Sequence, residues 1–118
     1  MSKQLRQEIV EYNSMDLDSL FSLLGETEYA ATYKFAPGKK SIEKGIEIFD
    51  SIKEKLYRKI CIEWKYCEKR RNPKFSDTIE IITALIDVIA EILIHIPPAL
   101  VATILVKKGL DKFCRCSE

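Results

Sequence analysis

The stretch from Ile79 to Val106, IEIITALIDVIAEILIHIPPALVATILV, decides how this 118-residue chain is read. It is apolar almost throughout, is broken once by Pro97-Pro98, and carries only Glu80, Asp87, Glu91 and His95 as ionisable residues. A chain this short has few ways to cover two such segments: its own remainder, a second copy, another protein, or lipid.

Magnitudes favour protein over lipid. Crossing a bilayer takes about 20 residues with few charges, and only about 18 lie between Ile79 and Ile96. Asp87 and Glu91 near mid-bilayer would each cost about 2.5–3.5 kcal/mol, against roughly 0.3–0.6 gained per aliphatic residue. The apolar part of the second segment, Ala99 to Val106, is about 12 Å long as a helix and cannot span. A helix over 79–96 that is apolar around most of its circumference then belongs inside a bundle. The alternative is a membrane-associated effector whose 79–106 hairpin inserts, with Arg70, Arg71, Lys74, Lys107 and Lys108 on the cytoplasmic side.

Working outward, the other segments are also helical. Pro98 suits the first position of a helix running to about Cys114, which completes an apolar hairpin over 77–114. Asp77 and Glu80 are spaced for a capping box at the start of the 79–96 helix. Upstream, Ile42, Ile46, Phe49, Ile52, Leu56, Ile60, Trp64 and Cys67 recur at threes and fours, predicting one long helix over 39–71 of roughly 45 Å. Gly45 within it marks a kink or a close crossing. Asn72-Pro73 stops that helix, and Phe35-Ala36-Pro37-Gly38 separates it from two short N-terminal helices. The first of these aligns Leu5, Ile9 and Tyr12; the second, capped by Ser14 or Asp16, aligns Leu17, Leu20, Phe21 and Leu24. The expected fold is a single all-α domain over 1–118, a compact bundle of about five helices.

Composition narrows the class further. Four glycines and four prolines are too few for a turn-rich β-sandwich, and a net charge of +1 does not describe a surface built for nucleic acid. The charge is nonetheless uneven: residues 1–34 hold three cations and six carboxylates, so the remainder is basic. The N-terminus shows no apolar signal region and no myristoylation glycine, so a cytoplasmic protein with four reduced cysteines is expected.

Three constellations are candidates for function. Short connections make the last three helices antiparallel, so one pole collects Lys65, Lys69, Arg70, Arg71, Lys74, Lys107, Lys108, Lys112 and Arg115 against only Glu68 and Asp111. Cations at helix C-termini offset the macrodipole; an excess this large also suits an acidic surface, whereas no base-reading motif supports nucleic acid. Cys67, Cys114 and Cys116 converge there, with Cys61 deeper, in a spacing that matches no known zinc pattern. The second constellation is the polar stripe Glu80, Asp87, Glu91 and His95, which lines a groove or pairs with a lysine from the first or the long helix, seams two copies together, or forms a metal or acid–base site at Asp87, Glu91 and His95. The third is apolar: Leu17, Leu20, Phe21 and Leu24, with Tyr57, Trp64 and Tyr66, either close over the bundle or anchor a partner.

No nucleophile accompanies the single histidine, so neither a catalytic residue nor a cofactor is assigned. The expected function is that of a non-enzymatic interaction protein, a helical adaptor or accessory subunit of a larger assembly, with a protein partner or a second copy. A bacterial defence or toxin-type system would fit such a chain.

Overall fold

The structure is a computed structural model that describes residues 3–117. Eight α-helices are present and no strand among the described residues, so the chain is all-α. They are α1 Lys3–Asn13, α2 Leu17–Leu24, α3 Glu28–Thr32, α4 Ser41–Tyr57, α5 Tyr66–Lys69, α6 Thr78–Ala90, α7 Pro98–Lys108 and α8 Leu110–Phe113. A π-helical segment, Arg58–Glu63, continues α4, and a 3-10 turn, Pro73–Ser76, precedes α6.

The helix at the centre is α7. Every residue from Ala99 to Leu105 is buried, including Thr103, whose hydroxyl donates to the Ala99 carbonyl at 2.8 Å and so is itself paired. Around α7 pack α6, α1 and α2, with α8 directly after it in the chain. On α6 the buried face is Ile81, Ile82, Leu85, Val88 and Ile89. The apolar pair is therefore enclosed by the protein itself, and among the described residues no helix is long and apolar enough to cross a membrane.

Helices α2 and α4 cross at two glycines. A Cβ on Gly45 would collide with the Phe21 carbonyl, and one on Gly25 with the Ser41 carbonyl. Glycine is required at both because backbone meets backbone there. Gly45 thus marks a close crossing, and α4 continues as α-helix through it. Above the crossing, the Phe21 and Phe49 rings meet edge to face at 5.8 Å, with the Lys108 ammonium over both.

Several expected boundaries are corrected. The long helix over 39–71 is interrupted: it changes to π-helix at Arg58 and ends at Trp64, and Lys65 is left-handed (φ 58°) before α5 begins. Its buried face is Gly45, Ile48, Phe49, Ile52 and Leu56, so Ile42 and Ile46 lie outside the core. The helix expected over 79–96 stops at Ala90, after which residues 91–97 form an irregular turn with His95 at φ 66°. The last helix breaks at Gly109, whose φ of 100° is a conformation natural to glycine.

Candidate functional site

The cysteines determine how the site is built. All four are paired, Cys61 with Cys114 and Cys67 with Cys116, so the expectation of reduced thiols is corrected. The predicted convergence of Cys67, Cys114 and Cys116 at one pole does occur. The π-helical turn also brings Cys61 within bonding reach of Cys114. Beside the bridges, Tyr66 donates its phenol proton to Asp111 at 2.7 Å, and Arg70 pairs with the same carboxylate at 3.0 Å. Burial, then the Asp111 carboxylate, holds the Tyr66 phenol well above the usual tyrosine range. The segment 61–70 is thereby clamped to the C-terminal residues 111–117, and Trp64 stands between the two clamped cysteines.

Trp64 is one wall of a groove of about 510 Å³. The same wall continues through Lys69, Asn72, Lys74 and Phe75; the opposite wall is α6, through Glu80, Thr83, Ala84, Asp87 and Val88. Asn72 sets the position of Phe75: its side-chain oxygen accepts from the Lys74 amide at 3.0 Å, which folds Pro73–Ser76 into the 3-10 turn. The Trp64 and Phe75 rings are then 5.9 Å apart and tilted by 54°. Lys69 lies 5.5 Å from the Trp64 ring and Lys74 5.9 Å from the Phe75 ring, each a cation over an aromatic face. Asp77 accepts from the Ile79 amide at 2.8 Å and starts α6. Glu80, expected to complete a capping box, instead lines the groove.

The structure divides the polar stripe. Glu80 and Asp87 share the groove, whereas Glu91 pairs with Lys59 at 3.7 Å and the His95 ring lies 3.9 Å from the Glu28 carboxylate. The helix end at Ala90 is the cause, because the helical register that would align His95 with Asp87 does not continue past it. Asp87, Glu91 and His95 thus form no common site, and no cluster of three metal-ligating side chains occurs among the described residues.

The basic pole disperses as well. Arg70 is held internally by Asp111, and Lys108 covers Phe21 and Phe49. Lys107 acts on Asp16 at the start of α2, and Arg115 lies over Tyr57 in a cleft shared with Lys112 and Phe113. Lys69 and Lys74 belong to the groove; Lys65 and Arg71 are exposed, with no ion pair among the described residues. Of the apolar anchors, Leu20, Phe21, Leu24 and Tyr66 are buried in the protein's own core, which removes them as contacts for a partner. Leu17, Tyr57 and Trp64 remain half-buried.

Phe75 was not among the residues singled out from the sequence. Its signal was present: a lone aromatic between a helix stop, Asn72-Pro73, and the next helix cap, Asp77, has no periodic face to join. A comparison of the chain with protein-family models, with curated proteins and with solved structures finds no match.

Proposed function

We propose that the protein is a non-enzymatic interaction module, a small helical adaptor or accessory subunit, and that the Trp64–Phe75 groove is its docking site. The observation that carries this reading is the pairing of two accessible aromatic rings with flanking charges of both signs, one of the rings, Trp64, on a segment anchored by two disulfides. Half-buried aromatics make strong interface anchors because they supply large contact area at little conformational cost. Anchoring the segment lowers the ordering cost of binding. The π-helix and the left-handed Lys65 beside Trp64 support the same assignment, since such departures from regular helix recur where function demands them.

The cytoplasmic expectation, drawn from the N-terminus, carried reduced thiols with it. With both pairs bridged, the reading shifts to an oxidising compartment, or to a host whose intracellular proteins retain disulfides. In the lipid-inserting alternative, Ala99–Leu105 and the inner face of α6, which fill the core here, would first have to leave it.

The test is selection of helical peptides from a displayed library on the disulfide-bonded protein and on an Ala84→Arg variant, whose groove is filled. Peptides that bind the first and lose at least tenfold on the second support docking at the groove. Enrichment that is equal on both proteins would refute it.

A further inference from the structure

We infer that the occupant of this groove is an amphipathic helix of a different protein, basic along one flank and acidic along the other. The inference rests on the docking reading above and names the class of partner. Glu80, Thr83, Ala84 and Asp87 succeed one another at offsets of three, four and seven, so they lie on a single face of α6. The two carboxylates stand about 10 Å apart along the axis, two helical turns. Between them on that face stand Ala84 and Thr83, the Thr83 hydroxyl donating to the Ile79 carbonyl at 2.7 Å. The single methyl of Ala84 lets another helix approach closely there.

The wall across from them carries the opposite sign. Lys69 and Lys74 lie over their rings, and neither forms an ion pair with a carboxylate among the described residues; Glu80 and Asp87 likewise pair with no cation there. Two walls of opposite charge therefore face each other without neutralising one another. A rod that presents cations to α6, carboxylates to the lysines and an apolar seam to Trp64, Phe75 and Val88 satisfies both walls at once. Reversing the direction of such a helix exchanges its flanks, so either chain direction can be accommodated by the appropriate pattern.

A second copy docked α6 against α6 fits this face poorly. Pairing α6 with its own symmetry mate sets Glu80 and Asp87 against Glu80 and Asp87, in parallel or antiparallel arrangement, and like charges in register repel. That repulsion weighs against the seam between two copies, one alternative for the polar stripe.

Three synthetic helical peptides with one common leucine seam provide the test: lysines on both flanks, glutamates on both flanks, or lysines on one and glutamates on the other. Each is titrated into the full disulfide-bonded chain by calorimetry and by the fluorescence of Trp64, the only tryptophan. The split-flank peptide should bind about tenfold more tightly than either uniform peptide at low salt, with the advantage shrinking in 0.5 M salt. In a Glu80→Lys/Asp87→Lys variant the all-glutamate peptide should become the tightest. Equal affinities for all three, or a uniform peptide preferred by the wild type, would overturn the partner class while leaving groove docking intact. If none binds and the library also yields no groove-dependent peptide, both readings fall. Self-association of the wild-type chain that the double variant abolishes, measured by sedimentation, would overturn the inference in favour of a second copy.

Discussion

Removing the two disulfides tests how the site is held, because the arrangement predicts a non-additive loss. Cys61–Cys114 spans 53 residues of sequence and Cys67–Cys116 spans 49. In the chain-entropy model either bridge alone, closing a loop of this size, limits the unfolded chain by about 4 kcal/mol. Once one is in place, the other closes only a ring of roughly ten residues, 61–67 joined to 114–116, and adds about 2.7 kcal/mol. Cys61→Ala/Cys114→Ala or Cys67→Ala/Cys116→Ala should therefore each cost about 2.7 kcal/mol, a fall of roughly 11 °C in Tm for a chain of this length. Removing all four cysteines should cost about 7 kcal/mol, more than the two losses together. The assay is denaturant unfolding monitored by Trp64 fluorescence and far-ultraviolet circular dichroism. Its slope should steepen as cross-links disappear, because the unfolded chain then exposes more surface. A quadruple variant no less stable than either double variant would refute the reasoning, and would mean that packing alone holds 61–70 against the C-terminal residues.

Gly45→Ala should destabilise by about 2–3 kcal/mol in chemical denaturation, since the new methyl meets the Phe21 carbonyl; an ordinary helix interior would instead gain about 1 kcal/mol, so a neutral or stabilising result contradicts the crossing. Leu100→Ala at the centre of α7 should cost about 3–4 kcal/mol, whereas Ile94→Ala, at a side chain 76% exposed, should cost less than about 0.5 kcal/mol; equal losses would contradict the assignment of the core. Hydrogen bonds from the Ser19 amide and then its hydroxyl, with Lys107 nearby, lower the Asp16 carboxyl below its ordinary range. Its contribution is present above the unfolded-state value and lost as pH falls through the lower folded-state value, so carbon-detected titration should give a depressed midpoint in wild type and a more normal one in Ser19→Pro.

How much could be read from the residues depends on the range of the interaction. The helix over 3–13 and the one over 17–24 were legible because Leu5, Ile9, Tyr12 and then Leu20, Phe21, Leu24 repeat at helical spacing, and Asp16 caps the second of them. The long α4 signal was legible too, but its phase was not. Ile42 and Ile46 are as apolar as Ile48 and Ile52, and only the approach of α2 at Gly45 selects which face is buried. The groove was half legible: Trp64, Lys69, Lys74, Glu80 and Asp87 were candidates, assigned to three separate constellations. Only the fold brings them to one place, and only the ring contact with Trp64 draws attention to Phe75.

Local periodicity, capping chemistry and turn residues act within a few positions of the chain, so the sequence by itself determined the all-α class, the apolar 79–106 stretch and the break at Pro97-Pro98. The state of the cysteines, the centrality of α7, the separation of His95 from Asp87 and the two facing walls of the groove were decided by tertiary structure alone. Each depends on the distance between groups far apart in sequence, and such distances are set by how all the helices fill one core together.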